Sequence, residues 1–443
     1  MNTEKPTSAP RGVTAILRQV GPGLIVTASI VGSGELIATP TLGARVGFTA
    51  LWLIIVSCLI KVVVQMELGR FTISSGKTAL EALDLVPGPR WRVSWVVWAW
   101  MLMFVGVTFQ SGGMIGGVGQ VFNLAFPKVD VRIWAVLVAV GTVVLLFGGR
   151  YRLVETSSTV MVVGFTFITL ASATLLFWTE YCPRPEQIIA GLKFQLPEGG
   201  LAVGFAVFGI TGVGATELIY YPVWCLEKGY ARFVGPNDKT QAWVERARGW
   251  IRVMQIDALV AMVIYTVATV AFFILGASVL HGIGKIPAGF EMIRTLSTIY
   301  TSTLGAWSFY VFLLGAFFVL YSTVFVSTAS NSRVVVNFLE ISRFLKVRDE
   351  QDRGRSQRVA VVLLLTLYTS WFMWIGEPVL MVIIGGVAQA CLLPIIGFAT
   401  IYLRYKRTDA ALRPNLLVDV LLWLCSTLML AFAVYTVISK LAG

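Results

Sequence analysis

Apolar residues in this chain run in stretches of about 20 or more, enough to cross roughly 30 Å of hydrocarbon as helix. Leu51 to Val64, Val96 to Val107, Leu137 to Gly148, Val160 to Trp178 and Val361 to Trp374 are examples, each extended by small or weakly polar neighbours. The pattern predicts eleven spans, near residues 19–45, 48–69, 93–120, 131–149, 153–178, 200–224, 250–280, 304–334, 356–376, 378–403 and 417–440. The expected fold class is therefore an all-α integral membrane protein.

Composition agrees, with 57% hydrophobic and only 13% charged residues among 443. A soluble core of that length could not hide so much apolar surface. Residues 1–18 are polar and contain prolines. They lack a basic stretch leading into a short apolar segment with a small-residue cleavage site, so a cytoplasmic tail is expected rather than a cleaved signal peptide.

Charge orients the spans. With the N-terminus inside, cytoplasmic segments carry 26 Lys/Arg, external ones carry 8, and Lys61 lies within a span. This predicts a cytoplasmic N-terminus and an external C-terminus in the cell (inner or plasma) membrane. The net charge of +12 follows from topology and attraction to anionic lipid, without a nucleic-acid partner. The basic stretch 231–252, with Trp243 and Trp250, is expected either flat on the membrane surface or as a solvated loop. Trp91, Trp95 and Trp98 fit an aromatic belt at a span entrance.

Little conventional chemistry is available. Cys58, Cys182, Cys225, Cys391 and Cys425 are scattered, and His281, the one histidine, is expected at the surface. This disfavours a disulfide framework, a structural zinc site and a histidine relay. The absence of a Walker A pattern disfavours ATP-driven transport, and no nucleophile–base set supports an enzyme. No cofactor is expected.

An internal repeat is more informative. Gly32-Ser33-Gly34-Glu35-Leu36-Ile37 in the first span and Gly214-Ala215-Thr216-Glu217-Leu218-Ile219 in the sixth share Gly, Glu, Leu and Ile at an offset of 182 residues. The offset covers five spans, an odd number, so the second copy enters the membrane from the opposite side and the repeat is inverted. Clustered glycines let the helix backbone leave its regular ladder. Unwound backbone survives at membrane depth only where it lines a cavity or is buried in protein. A carboxylate within a span costs on the order of 3 kcal/mol on insertion scales, so two at matched positions suggest function. Glu35 and Glu217 are expected to bind cargo, carry a proton or gate. The alternative is that they are protonated or cap the amides of the following half-helix.

Gly21-Pro22-Gly23-Leu24, Gly32-Ser33-Gly34-Glu35, Gly47-Phe48 and Leu51-Trp52 resemble the opening of the NRAMP family of divalent-metal transporters, and Gly214-Ala215-Thr216 resembles the lead-in to that family's sixth-helix motif. The resemblance covers nearly the whole chain. It implies a LeuT-type 5+5 inverted repeat with helices 1 and 6 broken at mid-membrane and alternating access about them. Residues 19–178 would form the first repeat, 200–403 the second, and 417–440 an additional eleventh helix. The family's metal ligands are replaced. Its Asp-Pro-Gly-Asn reads Gly32-Ser33-Gly34-Glu35, and its Met-Pro-His-Asn reads Leu218-Ile219-Tyr220-Tyr221. The third helix, where the family places acids, reads Gln110-Ser111-Gly112-Gly113. Loss of the thioether leaves an oxygen-rich site, which suits Mg²⁺, Mn²⁺ or Ca²⁺.

The expected function is a secondary transporter of a small cation, most plausibly a hard divalent metal held by Glu35 and Glu217, coupled to protons or sodium. Gly32, Ser33, Gly34, Thr216, Tyr220 and Gln389 are expected around the cargo, although Tyr220 and Gln389 could equally pack or bridge helices. Thr323 and Ser327 are candidates for a sodium site of the kind LeuT-type folds carry, or simply bond their own backbone. Asp257, Glu155 and Lys61 suit a charge network or gate, with ion pairing among them or to a loop arginine as the alternative. Glu67 and Arg70, one turn apart, read as an ion pair at a helix end. Two alternatives stand beside this reading: a sodium- or proton-coupled carrier of a small amine or amino acid, and a non-transporting receptor on the same scaffold. Oligomeric state is left open.

Overall fold

Long apolar runs with no water to satisfy their backbone must close their hydrogen bonds within each segment, and they do so as helices. A computed structural model describes residues 6–147, 151–196 and 200–442. In the first part of the chain α1 (Pro22–Ile30) and α2 (Thr39–Val46) are joined by a break and a π-helical stretch, Ser33–Ala38. Then come α3 (Leu51–Ser75), α4 (Trp95–Ala125), α5 (Val131–Leu146) and α6 (Tyr151–Leu175). The second part opens with another interrupted pair, α7 (Leu201–Ile210) and α8 (Ala215–Lys228), followed by α9 (Gln241–Leu275). α10 (Met292–Leu304), α11 (Ser308–Ile341), α12 (Glu350–Ile375), α13 (Pro378–Lys406) and α14 (Leu416–Ala442) complete it. A two-stranded ribbon pairs Arg90–Trp91 with Val93–Ser94.

Among the described residues, 8 helical stretches are long and apolar enough to cross a membrane; the first, Pro22–Ser75, runs for 54 residues. Two shorter apolar helices, Val131–Leu146 and Thr166–Trp178, accompany them. Large apolar side chains face outward around the bundle, for instance Leu102, Phe167, Trp374 and Leu416, each more than 70% exposed. On a soluble protein such a surface would aggregate; here it is the lipid-facing belt.

One expectation changes. The stretch 231–252 is neither a surface-lying segment nor a loop, because α9 begins at Gln241 and buries both tryptophans. Trp250 stacks on Tyr230 and packs on Phe233, and the Trp243 indole donates to the Gly235 carbonyl. The basic side chains Arg246, Arg248 and Arg252 lie on the more exposed side of the same helix, so its amphipathicity accounts for the composition. α10, with 13 residues, is too short to cross a bilayer. The expected Glu67–Arg70 ion pair is present, at 3.0 Å. Both side chains are buried, and Arg404 Nη1 also donates to Glu67 Oε2 at 2.8 Å and binds Asp419, tying α3, α13 and α14 together.

Small residues set the closest contacts. A Cβ on Gly43 of α2 would stand 2.7 Å from Ala277 N, and one on Gly276 would stand 2.5 Å from Pro40 Cα, so α2 and the end of α9 touch backbone to backbone. α4 and α13 meet similarly where Gly385 lies under the Gln110 side chain. In lipid, where apolar contact between helices brings no hydrophobic gain, this close approach is the main source of packing energy.

Candidate functional site

The two interruptions lie against each other in the interior. α1 ends at Ile30, Val31 and Gly32 depart from helical geometry, and the chain resumes at Ser33. A side chain at residue 32 would overlap the Thr323 hydroxyl, so glycine is required by space. α7 ends at Ile210, and Gly212, with φ +60°, turns the chain into α8. A Cβ on Gly34 would lie 3.2 Å from the Ile210 carbonyl, which places the first break beside the second.

Each break is followed, within the first turn of the next helical piece, by one acid. Both are buried: Glu35 is 0% and Glu217 7% exposed. Their partners differ. Glu217 Oε1 accepts from Ser29 Oγ at 2.9 Å, across the break in α1, and Oε2 accepts from Thr216 Oγ1 at 2.8 Å. Gln389 Oε1 accepts from the Thr216 amide at 3.1 Å, and Gln389 Nε2 donates to Gln110 Oε1 at 2.8 Å. Ser29, Glu217, Thr216, Gln389 and Gln110 thus form one polar chain through four helices. Glu35 Oε1 lies 2.9 Å from the Thr269 hydroxyl of α9, whereas Glu35 Oε2 has no hydrogen-bond partner. A buried carboxylate oxygen without a donor is costly and is therefore a ready ligand position.

Lys61 of α3 reaches the second break. Its ammonium donates to the carbonyls of Phe208 at 2.6 Å and Thr211 at 2.5 Å. Neither hydrogen-bond partner of the ammonium is Asp257, with which ion pairing was the alternative to a charge network or gate. Asp257 faces the other end of α1, where its oxygens accept the Gly21 and Gly23 amides at 2.9 and 2.7 Å and the Tyr221 hydroxyl lies 2.9 Å away. From α9 it accepts the amides at the start of α1, whose N-cap residue is Gly21, as the preference of exposed helix-start amides for an anion favours. The side chains of Ser33 and Glu155 lie outside the described residues.

The remaining candidates divide. Thr216 and Gln389 join the Glu217 chain, and Gly32 and Gly34 shape the break. Tyr220 does not: its hydroxyl donates to Asn331 Oδ1 at 2.6 Å, and Asn331 in turn donates to Tyr368. Thr323 Oγ1 meets the carbonyl of Ala28 at 3.1 Å, at the loose end of α1, while Ser327 stays 3.4 Å from Val324 O on its own helix. Ser322 Oγ lies 3.3 Å from Ala28 O and 2.9 Å from Val319 O. Ser29, Thr269, Gln110 and Asn331 are not among the expected site residues; Gln110 and Asn331, amides inside apolar spans, carry the same signal as Gln389. His281 is exposed, with Nδ1 2.9 Å from the Ala44 carbonyl, and the five cysteines are free. Among the described residues no group of three or more His, Cys, Asp or Glu side chains could hold a metal, so any cation bound here must take hydroxyl, amide, carbonyl or water oxygens as well.

Comparison with known proteins places the scaffold. The Nramp model, described as natural resistance-associated macrophage protein-like, matches residues 23–439. A divalent metal cation transporter MntH from Deinococcus radiodurans is 24% identical over 297 residues, covering 63% of this chain and 60% of its own. One from Chromohalobacter salexigens is 22% identical over 330 residues, covering 73% and 70%. A manganese transporter from Eremococcus coleocola superposes with a TM-score of 0.72 at 17% identity, covering 100% of this chain and 91% of its own. Mhp1, a nucleobase-cation-symport-1 family transporter, superposes with a TM-score of 0.61 at 13% identity, covering 98% and 93%. These structural likenesses establish the fold.

Proposed function

The chain belongs to the Nramp family of membrane transporters, and from that premise we propose that it is a secondary transporter of a small divalent cation of hard character, magnesium, manganese or calcium. Relatives in the family include proteins named as divalent metal cation transporters, and a structural neighbour is named as a manganese transporter. The observation that carries the reading is the pair of buried acids at the two breaks, one of them with an oxygen that nothing in the protein satisfies. Glu35 and Glu217 supply the charge; Thr216, Ser29 and Gln389 supply neutral oxygens. An all-oxygen set selects hard cations over the softer metals that a thioether would favour.

In this reading the chain crosses the membrane eleven times, with residues 19–178 and 200–403 as inverted five-helix repeats and 417–440 as an additional helix. The N-terminal tail, 1–18, is cytoplasmic and the C-terminus external, as the 26-to-8 division of basic residues favours. Rocking about α1–α2 and α7–α8 exposes the acids to either side in turn, driven by a proton or sodium gradient.

A second reading has its own support. Lys61 holds a positive charge close to the second break, so two carboxylates and one ammonium leave a balance of one negative charge, which matches a monovalent amine better than a divalent ion. Reconstitution into liposomes separates the two. Uptake of Mg²⁺, Mn²⁺ or Ca²⁺ supports the first. Absence of metal flux together with gradient-driven uptake of a small amine or amino acid replaces it with the second, and flux of neither leaves the receptor alternative.

A further inference from the structure

We propose that the carbonyl oxygens of Phe208 and Thr211 form a second cation site, distinct from the two acids, and that the Lys61 ammonium permanently fills it as a tethered ion. The inference stands on the geometry of the second break and is independent of what the acids carry.

The site follows from the way α7 ends. When a helix stops, the carbonyls of its last turn lose their intrahelical partners and concentrate partial negative charge. In water they are hydrated; deep in a membrane protein they must find an internal donor or bind an ion. Phe208 and Thr211 present two such oxygens to one point, 2.6 and 2.5 Å from Lys61 Nζ. Ser57 Oγ, one turn before Lys61 on α3, borders the same carbonyls at 3.2 and 3.3 Å and lies 2.8 Å from Thr211 Oγ1. The Phe208 ring centroid stands 5.0 Å from the ammonium, within cation–π range. Gly212 closes the cradle: a Cβ there would stand 2.8 Å from Cys58 Cα, which holds α3 and its lysine against the turn.

These donors are carbonyl and hydroxyl oxygens with an aromatic face, and both hydrogen-bond partners of the ammonium are main-chain carbonyls. Hard neutral oxygens of this kind suit an alkali-metal or primary ammonium cation. Lys61 is 0% exposed, and an unpaired buried ammonium is not tolerated in hydrocarbon, so the carbonyls and the lysine each require the other. A cation fixed by a covalent stem cannot be released to either side. This break therefore keeps its charge through the transport cycle and needs no free monovalent ion to hold its shape.

Removing the side chain should open the site to a free cation. In Lys61→Ala the missing atoms are three methylenes and the ammonium, the size of n-propylammonium. The protein is purified as wild type, Lys61→Ala and Lys61→Met, and thermal unfolding is followed at constant ionic strength in N-methyl-D-glucamine, sodium or n-propylammonium chloride. Wild type is expected to melt alike in all three. Lys61→Ala is expected to melt lower in N-methyl-D-glucamine and to recover, saturably, by on the order of 3 °C or more in n-propylammonium or sodium. Lys61→Met, which fills the space without charge, should be destabilised and insensitive to the salt. A methionine variant as stable as wild type, or an alanine variant indifferent to the cation, overturns the proposal. Should neither variant accumulate, Lys61→Arg decides: a folded arginine variant supports a required cation, and loss of that variant too counts against it.

Discussion

Asp257 offers the sharpest separation between a structural and a gating role. Its two oxygens accept the amides of Gly21 and Gly23 at 2.9 and 2.7 Å, and all three residues are buried. Asp257→Ala strands both amides where water cannot replace the acceptor, at about 1–3 kcal/mol each. Loss of the anion from the start of α1 adds about 0.3–1 kcal/mol. The Tyr221 hydroxyl keeps the Met254 carbonyl at 2.9 Å, so it adds little. The alanine variant should therefore be less stable by about 4 kcal/mol. Asp257→Asn keeps one acceptor oxygen and turns its carboxamide NH2 toward the other backbone amide, so its cost should be about half, near 2 kcal/mol. Unfolding in mixed micelles against the mole fraction of SDS measures both, and hydrogen exchange of the peptide containing residues 21–23 reports whether the α1 start has loosened. If Asp257 is instead a gate, the variants will unfold and exchange like wild type while flux falls. That outcome would refute the capping assignment.

Other perturbations test the surrounding structure. Arg404→Met leaves Glu67 and Asp419 without their shared partner and should cost about 3–5 kcal/mol in the same micelle titration, as breaking one side of a buried ion pair does; a loss under about 1 kcal/mol would mean the network is dispensable. Gly43→Ala drives a methyl against Ala277 N at 2.7 Å and Phe273 O at 2.9 Å and should cost about 1–3 kcal/mol, whereas a neutral result would deny the close contact between α2 and α9. Gln389→Leu removes the acceptor of the Thr216 amide and the donor to Gln110; it should destabilise by about 1–3 kcal/mol and weaken cation binding measured by calorimetry, and unchanged affinity would place Gln389 outside the site.

The membrane class, the helices and the positions of both breaks were legible in the sequence because each rests on a local signal: run length, or glycines clustered beside an acid inside an apolar span. What could not be read is which buried polar groups meet. Thr269 shows why. Its hydroxyl lies 2.6 Å from the Tyr265 carbonyl on its own helix, the habit of hydroxyls in membrane helices, and also 2.9 Å from Glu35, so the same residue type in the same pattern carries both meanings. An intramembrane acid such as Asp257 suggests a charged partner, yet its oxygens accept backbone amides 236 and 234 residues earlier, which have no side-chain signature. At Lys61, too, carbonyl oxygens freed by the break in α7 stand where a lone lysine suggests a carboxylate. Tyr220 stands one helical turn after Glu217, but its hydroxyl donates to Asn331 Oδ1 on α11, a pairing across the fold that has no local sequence signature.

The central claim, that the acids after the two breaks hold the cargo, is tested most directly by gradient-driven cation uptake into liposomes containing wild type, Glu35→Gln or Glu217→Gln at equal reconstituted amounts. The account predicts saturable uptake of a hard divalent cation by wild type. Each glutamine variant should lose at least about 10-fold in uptake at low cation concentration, since a lost charged ligand is worth about 1.5–3 kcal/mol and 1.4 kcal/mol is a factor of ten. Uptake that proceeds at the wild-type rate in both variants would contradict it.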